Sequence, residues 1–113
     1  MSKKRDPRLF LRDILTAIDR IEEYTRGLSF REFSANQMVI DAVIRNFEVI
    51  GEAVKKLPEE LKVPWREISG FRNVLIHGYF SLNLKDIWAT IEEDIHPLKE
   101  EIGKILKEME NKE

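Results

Sequence analysis

The sequence predicts an all-α fold, an up-down four-helix bundle, in a single domain that spans residues 1–113. Apolar residues recur at the three- and four-residue spacing of a helix face, and no segment shows the alternation of a strand. Five glycines and four prolines are too few for a turn-rich β protein. The breaks between the periodic segments are short, so we expect consecutive helices to be antiparallel neighbours.

The first helix is predicted from about Pro7 to Arg26. Asp6 can cap its N-terminus, and proline is tolerated in a first helical turn. Gly27 should end the helix, because glycine adopts the backbone conformation that closes a last turn. One buried face is formed by apolar residues at helical spacing: Phe10, Ile14, Ala17, Ile18 and Ile21.

The second helix is predicted from about Ala35 to Leu57, with Ser34 as its N-cap and Pro58 as its stop. It carries two apolar stripes. A helix that is buried on two sides in so small a protein needs a partner besides its own neighbours, which predicts a homodimer. The two stripes are Val39, Val43, Phe47, Ile50, Val54 and Leu57, and Ile40 with Ile44.

The third helix should open at Pro64 and end near His77 and Gly78, with Trp65, Ile68, Phe71 and Leu75 facing inward. The fourth should begin after Asn83 and run close to the C-terminus. Pro97 lies inside that run, so we expect the helix to kink or to split there. Its apolar residues have nearly heptad spacing: Leu84, Ile87, Ile91, Ile95, Leu98, Ile102, Ile105 and Met109.

Composition excludes several classes of function. The absence of cysteine rules out disulfides, thiolate nucleophiles and cysteine zinc sites. A net charge of −2 argues against nucleic-acid binding through overall charge, but leaves a local basic site open. No apolar segment follows the basic start, and no run approaches the roughly 20 residues of a membrane span. The sequence therefore predicts a cytoplasmic protein without membrane contact.

His96 offers one possible chemical site, because it follows three acidic residues, Glu92, Glu93 and Asp94. Carboxylates and an imidazole on one helix could hold a metal ion, but a second set of ligands is missing. We therefore favour a solvated acidic helix surface, and predict neither a metal nor a cofactor.

His77 lies in richer surroundings, with Arg72, Asn73 and Tyr79 close in sequence. The guanidinium of arginine can donate two parallel hydrogen bonds to a phosphate, and imidazole exchanges protons near neutral pH. Metal-free RNA cleavage needs these groups, since RNA supplies its own 2′-hydroxyl nucleophile. Residues five apart on a helix differ by about 140°, so unwinding at Gly78 or a two-fold dimer must bring the groups together. Local capping and packing by the same residues remain an alternative.

This segment resembles the signature of the HEPN superfamily, and more narrowly that of the HepT-like toxins. The resemblance rests on Arg-Asn-x-x-x-His-x-Tyr and covers nearly the whole chain, including the Phe47–Ala53 segment and Leu84–Leu98. It implies a HEPN-like helical bundle that forms a homodimer or a higher oligomer, with the two motifs in one composite cleft. It also implies a metal-independent endoribonuclease toxin of a type VII-like toxin–antitoxin pair, with tRNA as one candidate substrate.

The resemblance further implies roles for the motif residues. Arg72 would bind phosphate and stabilise the transition state, His77 would act as general acid and base, and Asn73 would orient the phosphate. The antitoxin partner would be a minimal nucleotidyltransferase that transfers AMP to Tyr79. The added bulk and negative charge would block an RNA phosphate.

Some charged residues outside the motif keep two interpretations. Glu48 and Glu52 could touch the site or simply be solvated helix charges. A basic N-terminal cluster could steer RNA or be a frayed terminus; it comprises Lys3, Lys4, Arg5, Arg8 and Arg12. At the level of function, the alternatives are a non-catalytic helical partner or docking subunit of a nucleotidyltransferase, and a plain structural bundle.

Overall fold

The structure, a computed structural model, describes residues 5–58, 61 and 83–111, and this part of the chain is helical with no strand. The all-α prediction is therefore confirmed. The predicted third helix, residues 64–77, lies outside the described residues. The five described helices are α1 (Pro7–Thr25), α2 (Phe30–Ser34), α3 (Gln37–Lys55), α4 (Leu84–Glu93) and α5 (Ile95–Asn111).

Helix α1 begins and ends where local chemistry predicts. The Asp6 side chain accepts a hydrogen bond from the backbone N–H of Arg8, and Pro7 occupies the first turn. Gly27, two residues after the helix, has a φ of 78°, a conformation that side chains with a Cβ rarely adopt. The predicted apolar face is buried except for Phe10, which is half-buried; Leu11 belongs to the same face.

The predicted N-cap of the second long helix is wrong. Ser34 is the last residue of the short helix α2, and Asn36 caps α3 by accepting a hydrogen bond from the backbone N–H of Val39 at 3.1 Å. The missed signal is the capping box at the start of α2, in which Ser29 is followed three residues later by Glu32. Ser29 accepts from the Glu32 backbone N–H at 3.1 Å, and the Glu32 carboxylate accepts from the Ser29 backbone N–H at 2.9 Å.

Both apolar stripes of α3 are partly covered within the single chain. Ile40 is only 5% exposed, and Ile44 packs partly buried against the same core. The helix packs against α1 and α2. The second stripe therefore does not by itself require a second copy of the chain, and the homodimer stays a prediction.

The predicted split of the last helical run is confirmed, with the break just ahead of the proline. Asn83 caps α4 by accepting a hydrogen bond from the backbone N–H of Asp86 at 2.8 Å. Helix α4 ends at Glu93 and α5 begins at Ile95, which places Pro97 in the first turn of α5. Pro97 has no N–H for the Glu93 carbonyl and its ring would clash with that carbonyl, so one continuous helix is disfavoured.

Two sets of ion pairs show that α1 and α5 are antiparallel. Near the start of α1, Arg12 lies 3.0 Å from Glu110 at the end of α5. Near the end of α1, Asp19 and Glu22 lie 3.0 and 2.9 Å from Lys99 at the start of α5. Hydrogen bonds to these two carboxylates, Glu22 first, raise the pKa of Lys99 above its usual value. The ammonium group is therefore charged at neutral pH and joins the two helices.

Helix α1 also runs antiparallel to α3, since Phe10 near its start lies beside Lys56 just past the end of α3. Helix α2 packs against α4 through aromatic rings: the Trp88 ring centroid is 5.0 Å from Phe33 and 6.3 Å from Phe30. In the described part of the chain no helix is long and apolar enough to cross a membrane. The arrangement is a helical bundle with α1 between α3 and α5.

Candidate functional site

The predicted catalytic residues Arg72 and His77, together with Asn73 and Tyr79, lie outside the residues that the structure describes. Their roles and their mutual geometry stay predictions. The structure describes the helices that precede and follow the motif in the sequence. Helix α3 and the turn to residue 58 precede it, and α4 begins shortly after it.

The two carboxylates of α3 that were singled out have different surroundings. Glu48 is about one-third exposed, and its Oε2 lies 4.0 Å from Nη1 of Arg45, at the limit of an ion pair. Glu52, one turn further along, is exposed and lines a groove between α3 and α1. Whether either touches the motif stays a prediction.

In the N-terminal basic cluster, Lys3-Lys4 lies outside the described residues, and the arginines on α1 or just before it are paired with acids. Arg5 lies 2.6 Å from Asp13, and Arg12 lies 3.0 Å from Glu110. An RNA phosphate that approached either guanidinium would compete with a carboxylate already in place. Exposed pairs of this kind contribute about 0–1 kcal/mol, so they weaken RNA steering without excluding it.

The remaining arginine of the cluster, Arg8, is paired through several hydrogen bonds. The Arg8 guanidinium donates to both carboxylate oxygens of Asp6, with Nη2 to Oδ2 at 2.6 Å and Nε to Oδ1 at 3.1 Å. These hydrogen bonds lower the pKa of Asp6 to about 2, so the pair is charged at neutral pH. Arg8 thus helps to fix the start of α1.

The surroundings of His96 match a solvated helix surface. Its Nε2 lies 2.8 Å from Oε1 of Glu100, one turn later on α5, and both side chains are about two-thirds exposed. Within residues 5–58, 61 and 83–111, no three His, Cys, Asp or Glu side chains converge as metal ligands would. Burial, followed by the charge of Glu93, raises the pKa of the nearby Asp94. The structure thus gives the metal interpretation no support in this segment.

A groove between α1 and α3 was not anticipated from the sequence. It has a volume of about 160 Å³ and combines cations, acids and an apolar floor. The α3 residues recur at a helical spacing of 4, 3 and 4, a signal that could have shown a shared face. Its lining residues are Arg5, Phe10, Asp13, Arg45, Val49, Glu52, Ala53 and Lys56.

Cations and an aromatic ring meet in this groove. The guanidinium carbon of Arg5 lies 4.8 Å from the Phe10 ring centroid, and Nζ of Lys56 lies 5.9 Å from it. At these distances a cation is attracted to the ring face. The groove therefore carries three cations and two carboxylates around its apolar residues, a formal net charge of +1.

Comparison with known proteins gives consistent results. The family model "Ribonuclease HepT-like" matches residues 14–105. A protein of Thermococcus cleftensis named "Probable ribonuclease HepT" is 41% identical, over 92% of this chain and 99% of that protein. The chain is also 41% identical to the "Putative RNase MJ0125" of Methanocaldococcus jannaschii, over 96% of this chain and 98% of that protein. No solved structure matches the chain.

Proposed function

The chain belongs to the HepT-like ribonuclease family, and from this premise we propose that it is a metal-independent endoribonuclease. We further propose that it is the toxin of a type VII-like toxin–antitoxin pair, with tRNA as one candidate substrate. The observation that carries the proposal is the motif from Arg72 to Tyr79, which lies inside the matched range of residues 14–105. The name of the Thermococcus cleftensis relative supports it.

In the proposed reaction the RNA supplies the nucleophile. His77 takes the proton of the 2′-hydroxyl, whose oxygen then forms a bond to phosphorus, while the bond from phosphorus to the leaving 5′-oxygen breaks. That oxygen must receive a proton, and the His77 of a second copy can supply it if the two motifs share one cleft. Arg72 stabilises the charge on the phosphoryl oxygens, and Asn73 orients the phosphate.

Tyr79 is proposed as the site that silences the enzyme. A minimal nucleotidyltransferase antitoxin would transfer AMP to its phenolic oxygen. The product carries a phosphodiester and an adenosine two residues from His77. Negative charge near Arg72 and added bulk would then both exclude an RNA phosphate.

An RNA cleavage assay with purified protein tests the proposal. Mass spectrometry first establishes that the purified sample is free of Tyr79 modification. We expect cleavage that persists in a metal chelator and falls at least about 100-fold in Arg72→Ala and His77→Ala. Lys104→Ala, on the exposed surface of α5, should cleave like wild type.

Two outcomes would contradict the proposal. If unmodified wild type is as inactive as the Arg72 and His77 variants, the ribonuclease assignment fails and a docking subunit for a nucleotidyltransferase becomes the better explanation. If Tyr79→Phe cleaves RNA but is still silenced by the nucleotidyltransferase, Tyr79 is not the silencing site.

A further inference from the structure

We propose that the groove between α1 and α3 holds a single-stranded stretch of the RNA substrate, with phosphates at Arg45 and Lys56. This inference rests on the proposed ribonuclease function and adds a substrate-binding surface to it. Phe10, Val49 and Ala53 form the apolar floor on which sugars and base faces would lie. A single strand is favoured because its unstacked bases offer apolar faces, whereas a duplex offers mainly phosphates and 2′-hydroxyls.

The spacing of the two cations suits an extended strand. Arg45 and Lys56 are eleven residues apart, which on an ideal helix is about 16 Å along the axis and a rotation of only about 20°. They therefore lie on the same side of α3, at opposite ends of the groove. A strand laid along this face would meet a cation at each end and the apolar floor between them.

Neither of these two cations has a close carboxylate partner among the described residues. Arg45 is 71% exposed, and its Glu48 contact at 4.0 Å is its one ion pair among the described residues. Lys56 has no carboxylate within ion-pair distance in that part of the chain, and its ammonium group lies over the Phe10 ring. By contrast, Arg5, Arg8 and Arg12 already hold acids at 2.6 to 3.0 Å. Phosphates would bind Arg45 and Lys56 without displacing a close partner.

Replacing Glu52 should change RNA affinity in the opposite direction from replacing the two cations. Glu52 lies between the two cations on the same helix face and lines the groove. Its charge must repel a phosphate strand, so neutralising it should tighten RNA binding. A general effect of net charge would act equally at Lys104 on α5, so comparison with that position tests whether the groove itself binds the strand.

The test measures binding of a labelled single-stranded RNA of about 20 nucleotides across a salt series. His77→Ala serves as the parent protein, so that the RNA stays uncut. Each phosphate contact on a single strand contributes about 0.7 to the slope of log K against log salt, so Arg45→Gln with Lys56→Gln should lower that slope by about 1.4. At 0.1 M salt this corresponds to binding about 25-fold weaker, counted from a 1 M reference.

Two further variants complete the design. Glu52→Gln should bind RNA a few-fold more tightly than the parent. Lys104→Gln removes the same charge from an exposed position on α5 and should leave the slope and the affinity unchanged. Thermal unfolding of each variant shows that the differences do not come from a loss of fold.

The outcomes separate this inference from the function on which it rests. If wild type cleaves RNA but the double variant binds like Lys104→Gln, the groove is not part of the substrate path and the ribonuclease function stands. If wild type cleaves no RNA, the function itself fails. If the double variant loses binding to the nucleotidyltransferase and keeps its RNA affinity, the groove docks a protein and the inference is overturned.

Discussion

Phe33 is the residue through which α2 is held in the core, so its removal tests the packing of the bundle. The side chain is completely buried, and its ring centroid lies 5.0 Å from that of Trp88 at an interplanar angle of 34°. Phe33→Ala removes the buried ring and leaves a cavity, which typically costs about 3–5 kcal/mol. About 0.5–1.5 kcal/mol of that cost comes from the aromatic pair.

For a domain of this size, each kcal/mol shifts the Tm by about 4 °C, so we expect Phe33→Ala to lower the Tm by about 12–20 °C. Circular dichroism follows the transition. Trp88 fluorescence, recorded in a Trp65→Phe background so that one of the two tryptophans remains, should change at the same temperature.

Met38→Ala is the matched control, because Met38 is 83% exposed on α3 and its truncation should stay within about 0.5 kcal/mol. The reasoning is refuted if the two variants melt within a few degrees of each other. It is also refuted if Phe33→Ala leaves the fluorescence of folded Trp88 unchanged, since the contact would then not exist.

Two further predictions concern α4. Asn83→Ala removes the side chain that accepts a hydrogen bond from the Asp86 backbone N–H at 2.8 Å. It should lower the free energy of unfolding, measured by urea titration, by about 1 kcal/mol. An unchanged midpoint would mean that the cap contributes nothing. Burial raises the pKa of Asp94 from 3.8, so the contribution of this group to stability should fall as pH rises from 3.8 through the raised pKa. Asp94→Asn should therefore gain stability relative to wild type over that interval. Parallel stability curves for the two proteins from pH 3 to 7 would contradict this.

The sequence predicted the candidate site and the fold to different depths. The motif residues and their chemistry were readable because a short pattern of Arg72, Asn73, His77 and Tyr79 carries the family resemblance. The groove as a whole could not be predicted, because its lining comes from two separate segments of the chain, residues 5–13 and 45–56. Which cations are neutralised depends on which carboxylates folding brings near them.

Local chemistry determined the helix boundaries that the sequence predicted correctly. Asp6 and Asn83 cap the backbone within three residues, Gly27 takes a positive φ, and Pro97 breaks a helix at the preceding turn. Each effect acts over a single turn, so a single sequence contains it. The capping box of Ser29 and Glu32 at the start of α2 is a signal of the same local kind. Because Ser34 is the last residue of α2, it does not cap α3 as predicted.

The contacts between residues that are far apart in the chain were decided by the tertiary structure. It placed α2 against α4 through Phe33 and Trp88, and it joined Lys99 to two carboxylates 77 and 80 residues earlier in the chain. It also buried Ile40 and part of Ile44, the second stripe of α3, inside one chain. Helical periodicity states which face is apolar but not which helix covers it, because that choice depends on the packing of the whole core.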